Sequence, residues 1–389
     1  MTTPAATPAT TAAPATIPEV ISIADFERLA LERMDASALA FITGGAEDEV
    51  TLRENVAAFG RWRFLPRVLV DVASIDARTR VLGREVALPI GVAPVAAHGL
   101  ADPAGEVATA RAAAAAGAIF CLSTVSTRSL EDVAAAVPPD ARRWFQLYVQ
   151  NDVRVTRRLV ERAEAAGYEA IVLTVDLPVL GYREREKRQG WQLDATLGNF
   201  GRPHDTAEGD AEAAEAAAAV ADPALTPSHV DRVGAMRLVG TTWEGIATLR
   251  GWTSLPIVIK GILHPDDARL AVDHGAAAVV VSNHGGRQLD RSIAALDALP
   301  AIVDAVHGRA EVYLDGGIRR GSDALIALAL GATAVFAGRP FVFALGVAGE
   351  PGVTQAFAIL REELERAMAL LGVASLRDLT RGHIVAAAR

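Results

Sequence analysis

His284 and Arg287 stand three positions apart in SNHGGRQLD, residues 282–290, directly after the apolar run AAAVVV. An imidazole that titrates near neutrality beside a fixed cation suits proton transfer on an anionic substrate. The two intervening glycines let a flat or large group come close to the backbone. A polar loop capping a strand accounts for the same letters equally well. The pattern recurs, however. Apolar runs also deliver Ser123 with Thr124; Gln146 and Tyr148; Thr174 and Asp176, with Arg183 beyond; Lys260; Ser282; Asp315, Gly316, Gly317 and Arg319; and Gly338 with Arg339. Two guanidinium groups, Arg183 and Arg287, near a histidine form a natural carboxylate clamp. Tyr148 is suited to hold a neighbouring hydroxyl. Asp176 is suited to orient His284 and to stabilise its protonated form. Lys260, one of two lysines beside Lys187, ends the run PIVIKG. It either has a buried partner or snorkels to water.

Those groups must be positioned by something regular. From residue 89 onward, short runs rich in Val, Ile, Leu and Phe alternate with longer Ala- and Arg-rich stretches of helical spacing. The runs are 89–95, 118–124, 143–149, 169–176, 256–261, 277–283, 311–317 and 334–340. Intervening segments such as 101–117, 153–167 and 264–275 read as amphipathic helices that end at glycine. Continuous apolar strands, each followed by a helix, imply a parallel sheet buried on both faces. Eight such units over about 250 residues predict an α/β fold, the closed (β/α)8 TIM barrel. An open doubly wound sheet is the alternative, but no G-x-G-x-x-G turn follows the first strand. In the barrel, catalytic groups come from the C-terminal ends of strands, and nearly every strand end here is polar. Caps or turns explain one or two such ends, not all.

The last two strand ends, DGGIRRG and AGRP, pair glycine with arginine. Barrels often hold phosphate in these loops, on backbone N–H groups and arginine forks. Gln146, Thr174 and Lys260 would supply donors to a polar heterocycle attached to that phosphate. Together they point to FMN rather than a dinucleotide, with a simple phosphate ester as the other reading.

Residues 20–88 precede the barrel and read as a helical extension packed on it, with a capping pattern near Ser22 or Asp25. About eighty residues separate the fourth and fifth strands, a length typical of binding loops and inserts. Within them 205–225 is acidic, Ala-rich and of low complexity, either a mobile lid or a passive insertion. Residues 1–19, rich in Pro, Ala and Thr, read as a disordered tail, leaving 20–389 as one domain.

The chain has 389 residues and a net charge of −9, which argues against nucleic acid as a partner. One cysteine, Cys121, excludes an intrachain disulfide and fits a reducing compartment. No apolar run of membrane-spanning length, secretory leader or metal site is expected. A soluble cytoplasmic protein is the expectation.

With these motifs in place, the sequence resembles the FMN-dependent 2-hydroxy acid oxidase and dehydrogenase family. That family includes glycolate oxidase, lactate oxidase, lactate monooxygenase and the mandelate enzymes. GAEDE, FQLYV, LTVD, REREKR, VIKG, SNHGGRQLD, LDGGIRRG and GRP occur in family order, and the likeness spans about residues 22–385 apart from the variable 195–235 insert. The resemblance implies oxidation of an (S)-2-hydroxy acid to a 2-oxo acid. His284 would be the base, removing a proton from carbon or from oxygen. Arg183 and Arg287 would hold the carboxylate, Tyr148 the hydroxyl, and Asp176 the imidazolium. Lys260 would stabilise negative charge on reduced FMN. Pro94, Val95, Ala96, Ser123, Gln146, Tyr148, Thr174 and Ser282 match flavin-contacting positions. Asp315, Gly316, Gly317, Ile318, Arg319, Gly338 and Arg339 match the ribityl and phosphate site. The family also implies a homotetramer.

Two positions depart from the small-acid pattern. Phe41 stands where glycolate and lactate oxidases carry a tyrosine, which removes a hydrogen bond worth about 0.5–1.5 kcal/mol. Val125 matches a tryptophan in glycolate oxidase and a small residue in lactate oxidase. A wider, more apolar pocket follows, suited to mandelate, 4-hydroxymandelate or longer aliphatic acids. APVAAHGLA nevertheless resembles the lactate oxidase segment, so a lactate-like substrate stays open. Ala96 matches the oxidases, in which molecular oxygen becomes hydrogen peroxide. A dehydrogenase, a lactate 2-monooxygenase and, further off, an FMN-dependent isomerase are the alternatives.

Overall fold

The computed structural model describes residues 19–190, 197–200 and 242–387. The tail before residue 19 and the 205–225 stretch lie outside the described residues. Eight short strands carry the fold. They are β1 (Ile90–Val92), β2 (Phe120–Leu122), β3 (Arg143–Leu147), β4 (Ile171–Thr174), β5 (Ile257–Ile262), β6 (Ala278–Val281), β7 (Glu311–Asp315) and β8 (Ala334–Ala337). They close in chain order into a barrel in which every neighbouring pair is parallel. The expected closed barrel is therefore the fold, and the open sheet is not.

The strands look uniformly apolar because both faces are buried, yet the period of two persists inside them. Cys121, Trp144, Val172, Val258, Val280, Tyr313 and Phe336 fill the barrel interior. Their neighbours Phe120, Phe145, Leu173, Ile259, Val279 and Leu314 pack outward into the layer shared with the helices. Two positions further along six of these strands the inward residue becomes polar: Ser123, Gln146, Thr174, Lys260, Ser282 and Asp315. The top layer of the barrel interior is thus a polar floor laid on an aromatic one. Trp144 lies 5.4 Å from both Tyr313 and Phe336, ring centre to ring centre.

The opposite end is stoppered. A hairpin pairing Thr79–Val81 with Arg84–Val86 inserts Val81 and Val86 against the interior cluster. Arg142 secures it, donating to the Val81 carbonyl at 3.1 Å while pairing with Glu169 at 2.5 Å. Residues 20–88 are thus not helical throughout, as their sequence suggests, because strands of three residues are too short to show an alternation. With one end plugged, the barrel opens only where its strands end.

The extension contributes α1 (Ile23–Arg33), α2 (Ala36–Thr43) and α3 (Val50–Ala57). At α1, the Ser22 hydroxyl accepts from the Asp25 N–H, and the Asp25 carboxylate accepts from Ser22 Oγ and the Ile21 N–H. Outside the barrel lie α4 (Glu106–Ala115), α5 (Leu130–Ala135), α6 (Val153–Ala165), α7 (Glu184–Arg188), α8 (Glu244–Arg250), α9 (Pro265–Asp273), α10 (Ala295–Val306), α11 (Gly321–Ala329) and α12 (Arg339–Leu371). Among the described residues α12 is the one helix long and apolar enough to cross a membrane, which corrects the expectation that no such run exists. Its backbone breaks at Ala348 and Gly349, and it packs on α1, α4 and α11. Buried Phe341, Phe343, Phe357 and Leu364 explain its apolar character by packing in the fold.

Candidate active site

Above the polar floor lies a cleft enclosing about 1110 Å³, part of it open to solvent. Residues from α2, from the loops after β1, β2, β3 and β4, and from the ends of β5, β7 and β8 line it, together with His284, Gly285 and Arg287 after β6. The sequence-derived candidates Phe41, Pro94, Val95, Ala96, Ser123, Tyr148, Arg183, Lys260, His284 and Arg287 all stand in its wall. So do Asp315, Gly316, Gly317, Ile318, Arg319, Gly338 and Arg339. Gln146, Thr174, Ser282 and Asp176 do not line it; they are tied to it through hydrogen bonds. Gln146 accepts from Ser123 Oγ at 3.3 Å and donates to Thr174 Oγ1 at 3.1 Å. Ser282 accepts from Lys260 Nζ at 3.0 Å, and Asp176 holds His284.

The His284 ring is gripped from both sides. Its Nδ1 lies 2.9 Å from Asp176 Oδ1, and its Nε2 lies 3.3 Å from the Tyr148 hydroxyl. Burial holds the imidazole pKa below its ordinary value, and the Asp176 carboxylate pulls the other way. His284 is therefore neutral near pH 7, with Nδ1 protonated toward Asp176 and Nε2 free to take a proton. At the low pH where Asp176 titrates His284 is protonated, and its charge with that of Lys260 outweighs burial and keeps the Asp176 pKa low. Burial pushes the Tyr148 hydroxyl up to about 12, so it remains a donor.

The same loop explains its own glycines. His284, Gly285 and Gly286 all have left-handed backbone, at φ 59°, 64° and 77°. A Cβ on Gly286 would lie 2.5 Å from the Leu52 N atom. What comes close at this glycine is helix α3 of the same chain, not a ligand. The remaining letters of the motif dock that helix. Asn283 and Asn55 exchange two side-chain hydrogen bonds of 2.8 Å, and Asp290 accepts from the Val50 and Thr51 N–H groups at the start of α3. Glu49, the residue before the helix, supplies no side-chain cap.

Cations dominate the cleft. Lys260 Nζ lies 3.4 Å from Asp315 Oδ2; burial opposes its charge, but Asp315 and Asp176 more than offset that and raise its pKa. It is a paired, buried lysine and does not snorkel. Arg339 donates to the carbonyls of Ile42, Gly285 and Gly44 at 2.9, 3.0 and 2.9 Å. Arg287 donates to those of Phe41 and Gly44 at 2.5 and 2.8 Å. The C-terminus of α2, which lacks a basic residue of its own, is thus capped by arginines from the barrel. Burial, reinforced by Arg287 and Arg319, pulls the Arg339 pKa far down. Burial and Arg287 bring Arg183 down to about 9. A site that crowds guanidinium groups this way is built to receive anions. The buried Asp315 Oδ1 and Asp176 Oδ2 have no hydrogen-bond partner within the protein. Buried acceptors of that kind call for a donor from a ligand. An anionic, hydroxyl- and N–H-bearing group such as FMN meets both demands at the β7 and β8 end.

Three functional residues escaped sequence reasoning. Glu186 is buried between Arg183 and Arg287. Gln288 accepts from Arg183 Nη2 and donates to the Asp176 and Val179 carbonyls, so it ties both loops together. Its place in the GGRQLD motif was the available signal. Asn199 accepts from the Leu130 N–H and donates to Ser123 O, Thr124 O and Ser126 Oγ, fixing the loop that carries Val125. No local pattern distinguished it.

Comparison with known proteins agrees with this geometry. The chain is 47% identical over 369 residues to an L-lactate oxidase of Nostoc sp., covering 92% of this chain and 96% of that one. It is 46% identical to glycolate oxidase 1 of Zea mays, with 94% and 96% covered. Among solved structures it resembles mandelate oxidase with (S)-4-hydroxymandelic acid, at a TM-score of 0.84 and 41% identity, covering 95% and 100% of the two chains. The model of the FMN-dependent dehydrogenase family matches residues 30–386, and the chain belongs to that FMN-dependent family of 2-hydroxy acid-oxidising enzymes.

Proposed function

We propose that the protein oxidises an (S)-2-hydroxy acid with an apolar or aromatic side chain to the 2-oxo acid, passing the electrons to molecular oxygen. The substrate loses two electrons and two protons, and oxygen gains them as hydrogen peroxide. The observation that carries this reading is the His284–Asp176 pair at 2.9 Å, set in one cleft with Arg183 and Arg287. Bound FMN supplies the two-electron acceptor.

The residues divide the remaining work. Arg183 and Arg287 bind the carboxylate and fix which face of the substrate carbon is presented. The Tyr148 hydroxyl, 3.3 Å from His284 Nε2, holds the substrate hydroxyl beside the base. His284 Nε2 takes the proton, and Asp176 stabilises the imidazolium that results. Lys260, charged and buried, provides fixed positive potential at the floor.

Phe41, Val125, Leu177 and Leu180 give the cleft an apolar wall. The Phe41 ring lies under the Arg287 guanidinium at 4.9 Å and offers the substrate no hydroxyl. This supports a larger acid over glycolate. Ala96 in the wall and relatives named as oxidases support oxygen as acceptor. The reading extends to a cytoplasmic homotetramer, which light scattering on the holoenzyme tests.

Anaerobic addition of glycolate, (S)-lactate, (S)-mandelate and (S)-4-hydroxymandelate tests the substrate. Bleaching of the flavin by the aromatic acids with a higher second-order rate constant of reduction than by glycolate is expected. A preference for glycolate would reject the Phe41 and Val125 argument. Oxygen uptake without peroxide would mark a monooxygenase.

A further inference from the structure

Glu186 is nine-tenths buried, yet the reaction as described gives it nothing to do. It lies on α7, a single turn that starts directly after Arg183. The other charged side chains of that turn point elsewhere: Arg185 reaches Glu49, and Arg188 pairs with Glu184. Glu186 alone turns inward. Its Oε1 accepts from Arg287 Nη2 at 2.9 Å and lies 3.6 Å from Arg183 Nη1.

The arginines have separate anchors as well. Arg183 Nε donates to the Arg287 carbonyl at 3.2 Å, and Arg287 Nη1 is held by α2 carbonyls. Neutral carbonyls orient a guanidinium but do not cancel its charge. Two closely packed like charges repel, and Arg287 disfavours the charged form of Arg183. A monocarboxylate substrate cancels only one of them. We infer that Glu186 is a positioning residue that bridges Arg183 and Arg287, gives the clamp one net positive charge, and so matches it to a single substrate carboxylate. This rests on the clamp assignment above.

The groups facing Arg183 are Arg287, Glu186, Tyr148 and Asp176, with neutral Gln288 at 3.1 Å. Of these, Glu186 raises the guanidinium pKa while Arg287 lowers it. Removing the Glu186 charge therefore lowers the alkaline pH at which Arg183 loses its proton.

The test is binding of a non-reactive monocarboxylate, benzoate, to the FMN-loaded holoenzyme, read from the flavin difference spectrum between pH 6 and pH 10. It needs no turnover, so it stands apart from the choice of oxidised substrate. Glu186→Gln is expected to raise the Kd at least tenfold at high pH and to move the alkaline loss of binding down by about one pH unit, with the flavin still bound. Glu186→Asp keeps the charge and is expected to leave that limb in place while weakening binding about threefold. Unchanged affinity and limb in Glu186→Gln would overturn the inference. So would identical behaviour of the two variants, which would make Glu186 a packing residue. Should Glu186→Gln not fold, wild-type benzoate affinity in Glu186→Asp would overturn it. Failure of benzoate to perturb the wild-type flavin, with Arg183→Met turning over substrate as the wild type does, would instead reject the clamp assignment.

Discussion

The His284 imidazole is half-buried, left-handed in its backbone and bonded at both ring nitrogens, so its chemistry is set by a few contacts. His284→Ala should retain FMN and lose about 10²–10⁴ in kcat, the range for a positioned base. Stopped-flow flavin reduction measures it, and full activity would remove His284 from the mechanism. The pH profile carries a sharper expectation. A base must be neutral to act, so kcat/KM falls as pH drops through the His284 pKa, which burial holds below the ordinary imidazole value. Asp176 raises that pKa, so Asp176→Asn should shift the acid limb to lower pH while also lowering the plateau. A limb that moves upward would mean that another group titrates. The residue types were legible at this scale, because polar groups after apolar runs are conspicuous. Glu186 was not, because an acid inside REREKR looks like any residue of a solvated charged turn.

At the scale of elements, one loop serves two masters. Residues 283–290 present His284 and Arg287 to the cleft, and they also clamp α3 through Asn283, Gly286 and Asp290. Gly286→Ala forces a left-handed alanine, costing about 1–2 kcal/mol, and drives its Cβ into the α3 backbone. Asp290→Ala removes the cap of α3 at about 0.5–2 kcal/mol. Denaturant midpoints should fall in both variants, with the Gly286→Ala change larger. A similar close approach holds at Gly261, where a Cβ would sit 2.6 Å from Asp176 Cβ at φ 110°. The motif announced itself in the sequence, but half of its purpose is structural. Only the position of α3 reveals that half.

Across the whole molecule, an acidic chain of net charge −9 encloses a cationic cleft. Anionic ligands relieve the repulsion among Arg183, Arg287, Arg319 and Arg339. Removing FMN should therefore lower Tm, and restoring it at a hundredfold excess over Kd should return about 2.7 kcal/mol. Because Arg339 and Arg287 cap α2, hydrogen exchange in α2 should slow when FMN is restored. Unchanged exchange there would separate the cofactor site from the extension.

The barrel and the inventory of its top layer were legible in the chain. Strands buried on both faces must be apolar along their length, so a polar residue at the end of such a run is visible without any partner. Spacing in the chain also carried the glycine–arginine pairs of the last two strands. Tertiary structure alone decided which residues answer one another. The Arg142 tie to the stopper hairpin, the Asn55–Asn283 exchange, the α2 carbonyls around Arg287 and Arg339, and the Glu186 bridge join segments far apart in the chain or hide in charged turns. Long-range hydrogen bonds leave no periodic trace, because their partners are set by the closure of the barrel.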